Sequence, residues 1–196
     1  MKTTLRRRQV VEILLKDRKD LLVVAGLGST AWDITAAGDS PLSFPLWGAM
    51  GNAAMIGLGL ALAQPSRRVL VITGDGEMLM GLGSLATVGV QRPRNLSVVV
   101  VDNERYGETG MQATHTASGV DLAKVALACG FKSARQLRKP GQLASLRAAI
   151  HGIPGPHFAQ VKVVAEKVPL VLPPRDGALL KNRFRAALLG PPAELA

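Results

Sequence analysis

Asp75 and Asn103 are the two residues in this chain whose types and setting suit metal-assisted phosphate chemistry. Asp75 sits inside Gly74-Asp75-Gly76, straight after the β-branched run Arg68 to Thr73. Asn103 follows a second such run, Ser97 to Val101, and the acidic Asp102. A strand that ends in Gly-Asp-Gly puts a carboxylate at the carboxyl edge of a parallel sheet, where open α/β sheets bind ligands. Flanking glycines let backbone N–H groups approach phosphate oxygens. The segment Glu77 to Val90 reads as a helix whose positive end points at the same place. A carboxylate oxygen and an amide oxygen, completed by a backbone carbonyl and diphosphate oxygens, form the hard-oxygen set that octahedral Mg2+ prefers. Gly-Asp-Gly alone is a common strand-end turn. What raises it to a site is the asparagine in register at the end of the next strand.

The elements that must position this pair follow from the apolar pattern. Leu21 to Ala25 reads as a buried strand running into Gly26-Leu27-Gly28-Ser29-Thr30, a turn that opens a helix. Position 31 is Ala, and no acidic residue closes the next strand, so a nicotinamide-type dinucleotide site is a poor match. Pro41 to Leu46 returns to the sheet, and Trp47-Gly48-Ala49-Met50-Gly51-Asn52 is expected to start a helix reaching Ala63. Asp121 to Cys129 and Gly141 to Ile150 read as helices, and Lys132 to Leu137 and Phe158 to Val164 as strands. Residues 4–19 form an amphipathic helix, while His151 and His157, beside Gly and Pro, read as loop residues. The expectation is a single doubly wound α/β domain over 1–167, with a mostly parallel sheet of five or six strands and helices on both faces. Residues 168–196, with Pro173, Pro174, a basic helix near Ala178 to Leu189 and Pro191-Pro192, read as a C-terminal arm.

Composition narrows the field of functions. The single cysteine, Cys129, excludes a disulfide framework and offers no cysteine set for zinc or an iron–sulfur cluster. The apolar stretch Ala49 to Ala63 is too short to span a bilayer, and no signal core follows the basic start, so a cytoplasmic chain is the simplest reading. The net charge of +10 is spread along the chain without interleaved aromatics, which argues against nucleic acid and for an anionic substrate or acidic partner.

With these residues in place, the sequence resembles the thiamine diphosphate enzymes. Gly74-Asp75-Gly76 with Asp102-Asn103 is similar to their cofactor signature, in which the second half is more often Asn-Asn. Asp102-Asn103-Glu104 followed by Thr109-Gly110, Gln112-Ala113-Thr114 and Gly119-Val120-Asp121 resembles the phosphonopyruvate and sulfopyruvate decarboxylase branch, over about Leu21 to Phe131. The resemblance implies Mg2+ held by the Asp75 carboxylate, the Asn103 amide oxygen and the Arg105 carbonyl. It further implies a cofactor cradle of Gly28, Ser29, Gly48, Gly74, Gly76, Glu77, Tyr106 and Gly107, with Met50 propping the bent cofactor from below. Glu108 lies near a catalytic acid of relatives, one residue out of register, and His115 is a candidate to meet an anionic substrate.

The same resemblance implies a missing half. Such enzymes activate thiamine diphosphate with a Glu on a separate pyrimidine-binding domain, and this chain matches the diphosphate-binding half alone. It therefore looks like one subunit of a hetero-oligomeric 2-oxo acid decarboxylase whose substrate carries a second anionic group. A carboligase, a 2-oxo acid oxidoreductase subunit and a non-catalytic cofactor-binding subunit are the alternatives.

Overall fold

A computed structural model describes residues 3–190, leaving the basic Met1-Lys2 start and Pro191-Pro192 outside the described residues. The β-branched runs form β1 (Leu22–Ala25), β3 (Val69–Gly74) and β4 (Leu96–Asp102), which lie side by side at the centre of a six-stranded parallel sheet. Around them stand β2 (Ser43–Pro45), β7 (Ser133–Leu137) and β8 (His157–Lys162), in the order β2-β1-β3-β4-β8-β7. A separate two-stranded hairpin, β5 (Arg105–Tyr106) with β6 (Gln112–Ala113), rises from the end of β4. The sheet is the doubly wound one expected, and its count reaches the upper figure.

Alternation along the strands divides the core into two layers, because successive side chains leave opposite faces. Val23, Leu70, Ile72, Val99 and Val161 meet α1 (Arg7–Leu15), α2 (Ser29–Ala36) and α7 (Leu143–Gly152). Val24, Val71, Val98, Val100 and Phe158 meet α3 (Ala53–Ala63), α5 (Ser84–Gln91) and α6 (Leu122–Ala128). Small residues bring the second layer close. A side chain at Gly57 would lie 2.1 Å from Val71, and one at Gly89 only 1.7 Å from the Cys129 carbonyl oxygen. The last helix, α8 (Gly177–Leu189), lies over edge strand β2, with Phe184 tilted against Phe44 and Arg183 bonded to both oxygens of Asp39.

Two expected helices differ. The Trp47–Asn52 segment is a turn, and α3 starts at Ala53, because Ala49 and Gly51 take left-handed backbone angles of φ 60 and 92. The run Glu77 to Val90 breaks at Gly81–Gly83 into α4 (Asp75–Met80) and α5. The cause is a backbone crossing: a side chain at Gly81 would sit 2.0 Å from the Gly51 carbonyl oxygen. His151 and His157 are not loop residues either. His151 ends α7, and His157 is a buried member of β8 that pairs with the Ser133 hydroxyl at 2.7 Å.

Much of the basic excess works at the amino edge of the sheet. Arg18, Arg67, Arg68 and Arg147 donate to backbone carbonyls of Leu42, Asp20, Ile153 and Lys16. Burial pulls the Arg18 guanidinium down to about 10.

The glycine packing yields a paired outcome. Gly89→Ala, which meets backbone, should cost about 1–3 kcal/mol and lower the melting temperature. Gly59→Ala on α3, where nothing lies within 4 Å, should raise stability by roughly 0.5–1 kcal/mol. Thermal melts of both variants decide this.

Candidate diphosphate and metal site

From β1 the chain turns one way to β2, and β3 then lies on the other side of β1, so the strand order reverses between β1 and β3. Open sheets bind ligands outside the carboxyl ends at such a point. A cavity of about 220 Å³ opens here, lined among others by Ser29, Met50, Asp75, Asn103, Tyr106 and Glu108. These come from the ends of four strands, which explains how residues distant in sequence converge.

Asp75 is the first residue of α4 and only 2% exposed. Its Oδ2 accepts the Thr114 hydroxyl at 2.5 Å, with the Thr116 hydroxyl, which donates to Asp102, a longer 3.3 Å away, leaving Oδ1 without a side-chain donor among the described residues. Its pKa is raised to about 6, mainly by burial and then by the nearby Asp102 charge, with the two hydroxyls opposing. Asn103 lines the same cavity, and its Oδ1 accepts the Arg105 N–H at 2.9 Å in a tight turn where Glu104 takes φ 63. Because α4 is short, the positive helix end is that of a single short helix, although the effect belongs mostly to the first turn in any case.

Asp102, the departure from the Asn-Asn pattern, is fully buried and does not line the cavity. Lys162 lies 2.8 Å from its Oδ2, Gln160 donates at 2.6 Å, and Thr116 donates to its Oδ1 at 2.8 Å. The carboxylate thus holds the strand end that presents Asn103.

Glycines make the walls thin. A side chain at Gly76 would strike the Tyr106 ring at 2.4 Å, so the tyrosine packs onto bare backbone, whereas Gly74 is open within 4 Å. Gly28, at φ +70, lies under the Glu108 carboxylate, whose Oε1 would be 2.9 Å from an added Cβ. Glu77 is buried, and its Oε2 accepts the Thr73 hydroxyl at 2.8 Å directly beneath Gly26. Burial pushes its pKa up, opposed by Thr73 and by backbone groups of Ala53, Gly51 and Leu27, while no donor reaches Oε1 in hydrogen-bonding geometry. Its carboxyl is therefore a strut beneath the Gly26 turn.

Of the residues expected at the site, Ser29, Met50, Gly74, Asp75, Gly76, Glu77, Asn103, Arg105, Tyr106, Gly107 and Glu108 line the cavity. Gly28 touches Glu108 at its rim. Gly48 is exposed with open space around it, and His115 is exposed at the start of a 3-10 turn; neither lines the cavity. Sequence reasoning missed Arg7, Thr114, Thr116, Gln160 and Lys162. Arg7 reaches the cavity from α1, its Nη1 2.6 Å from Asp33 Oδ2 and 3.0 Å from the Ser29 carbonyl oxygen. The signal for Lys162 was present, since a lysine within a buried central strand requires a charged partner.

The hard oxygens on neighbouring strand ends, with glycine-thinned turns at the switch point, define a half-site for a metal-bound diphosphate cofactor, and the donors present fit Mg2+ and phosphate. Residues 29–161 match the family described as thiamine pyrophosphate enzyme, C-terminal TPP binding domain, and the chain belongs to that family. It is 38% identical to phosphonopyruvate decarboxylase of Streptomyces viridochromogenes, matching 91% of this chain and 45% of that protein. It is 35% identical to sulfopyruvate decarboxylase subunit beta of Methanococcus maripaludis, matching 94% of this chain and 98% of that one. The chain thus spans less than half of the first and nearly all of the second. The crystal structure of benzoylformate decarboxylase from Polynucleobacter necessarius shares the fold, with a TM-score of 0.70 at 21% identity, over 85% of this chain and 34% of that one.

The raised Asp75 pKa gives a pH-dependent outcome. A carboxyl whose folded pKa lies above its unfolded one destabilises the fold when ionised. That cost is complete above about pH 6 and is lost as pH falls toward the ordinary value of 3.8. Asp75→Asn removes it, so the metal-free variant should melt higher than the parent at pH 8, by up to roughly 3 kcal/mol, and converge with it near pH 4. Melts across that range, with equal differences at both ends as the contrary result, decide the matter.

Proposed function

We propose that this chain is the diphosphate- and Mg2+-binding subunit of a thiamine diphosphate-dependent decarboxylase. Its substrate would be a small 2-oxo acid with a second anionic group, such as sulfopyruvate or phosphonopyruvate. The observation that carries this reading is an end-to-end match to a relative named as a decarboxylase subunit, in a chain that places Asp75 and Asn103 together at the switch point. The Asp75 carboxylate, the Asn103 amide oxygen and the Arg105 carbonyl would hold the ion. The Ser29 turn and Gly74, with open space around it, offer the close backbone approach that a diphosphate needs, and Gly28 and Gly76 seat Glu108 and Tyr106 beside it. When bound, thiamine diphosphate supplies the electron sink for loss of CO2 from a 2-oxo acid.

This chain's residues then have distinct tasks. Met50 rises from the turn before α3 into the cavity as the prop, and with Leu27 and Tyr106 it keeps water from the reacting centre. Glu108, over Gly28 at the cavity mouth, is the carboxylate of this chain placed to exchange a proton with a bound substrate.

The cavity, about 220 Å³, is smaller than the roughly 300–1,000 Å³ typical of whole ligand sites. That supports a second surface over its open side, namely a pyrimidine-binding subunit that brings the activating Glu and builds a hetero-oligomer. Among the described residues no helix is long and apolar enough to cross a membrane, and a cytoplasmic setting is part of this proposal.

The isolated chain should release no CO2 from sulfopyruvate or phosphonopyruvate with Mg2+ and cofactor, and should do so once its partner subunit is added. Turnover by the chain alone would sink the subunit reading. Asp75→Ala should abolish Mg2+-dependent cofactor binding by calorimetry. Met50→Ala should keep that binding and lower kcat, by roughly 10- to 100-fold if the prop sets the reactive geometry; loss of binding in a folded variant would make Met50 an anchor instead.

A further inference from the structure

Lys162 does not line the cavity, yet it is the cation on which the metal turn is built. Its side chain is 4% exposed, and Nζ lies 2.8 Å from Asp102 and 2.7 Å from Glu104, the residues on either side of Asn103. The strand register makes this unavoidable: Asp102 of β4 stands opposite Lys162 of β8, and Val100 opposite Gln160, so Lys162 and Gln160 leave the same face two residues apart. Both reach Asp102 Oδ2. From Asp102 Oδ1 the contact passes to Thr116 at 2.8 Å, to Thr114 at 2.9 Å, and to Asp75 Oδ2 at 2.5 Å. One buried ammonium therefore braces both strand ends of the site. A buried lysine costs several kcal/mol unless it is well paired, and removing one member of such a pair strands the other charge.

We propose that Lys162 is a positioning residue for metal affinity. It clamps Asp102 and Glu104 so that Asn103 presents its amide oxygen in register with Asp75, and it balances the carboxylate at position 102. This rests on the reading that Asp75 and Asn103 hold a divalent cation. It assigns to β8 a task that an asparagine at position 102 would not require, since a neutral amide there needs no counter-charge. The coupling is also specific: loss of the ammonium should do less harm when the Asp102 carboxylate is removed with it, and what remains is the lost arm to Glu104.

The test is a double-mutant cycle on the full chain in complex with its partner subunit, read by Mn2+ binding in the presence of thiamine diphosphate and by thermal melts. Lys162→Met should weaken Mn2+ by 10- to 100-fold, the range for groups that orient metal ligands. Asp102→Asn combined with Lys162→Met should bind Mn2+ more tightly than Lys162→Met alone, because no buried charge is stranded at position 102, and should keep only the roughly 3- to 10-fold loss that goes with the missing Glu104 arm. Glu104→Gln, at a carboxylate 39% exposed and hence tolerant of change, removes one arm of the clamp. It should weaken Mn2+ by a factor of about 3 to 10 even if Lys162→Met does not fold. A lower melting temperature with unchanged Mn2+ affinity in Lys162→Met and Glu104→Gln would reduce Lys162 to a structural ion pair and overturn the proposal. A double variant no better than the single would do the same. If the parent complex binds no Mn2+ with the cofactor, the metal-site reading itself falls and this inference with it. Unchanged variants beside a binding parent sink the inference alone.

Discussion

Two buried carboxylates at the ends of neighbouring strands, Asp75 directly after β3 and Asp102 closing β4, set the terms for everything around them. They are joined through the hydroxyls of Thr114 and Thr116, and Lys162 balances only the second. Asp75 is left with hydroxyl donors and an uncompensated charge in a low-dielectric setting, and its raised pKa is the mark of that imbalance. A divalent cation would remove it. The site is thus built so that the fold is least comfortable, near neutral pH, without a positive charge beside Asp75.

That arrangement explains why the walls are glycine. On the proposed reading, a cation held by two strand ends would meet phosphate oxygens at backbone distance, and the same backbone carries the aromatic and acidic groups that cover the cavity. Tyr106 packs directly on Gly76, and Glu108 lies on Gly28, positions where any Cβ would collide. Behind them Glu77 occupies the space under Gly26, and Gly51 crosses Gly81, so the turn that offers Met50 is locked to the break between α4 and α5. The broken helix is therefore part of the site: a continuous helix through Gly81 would push the Met50 turn away.

The sheet, its two layers and the Asp75–Asn103 pair were legible because they rest on local signals: β-branched runs, alternation and strand-end glycines. The chain's own backbone crossings were not. Gly51 against Gly81 depends on segments thirty residues apart, and no local pattern reports it, so the turn before α3 read as helix. The same limit hid Thr114 and Thr116. His115 between them is the titratable residue, yet it is exposed and outside the cavity, while the hydroxyls flanking it bond to Asp75 and Asp102. Thr116 lies in the 3-10 turn that starts at His115, so the two hydroxyls come together only once that turn has formed, and strand alternation does not report them.

Apolar side chains such as Met55 and Met80 stand exposed beside the Met50 turn, next to a site whose chemistry depends on excluding water. A chain that spent its buried charges on bracing one edge of the site, with Lys162 and Arg7 both committed to carboxylates of their own, has Arg105 as the cavity-lining cation without a carboxylate partner among the described residues. On the proposed reading, electrostatic recognition of a second anionic group on a substrate would fall to Arg105 or to a covering subunit. Substrate choice would then be settled at the open side of the cavity, and the closed side would hold the ion.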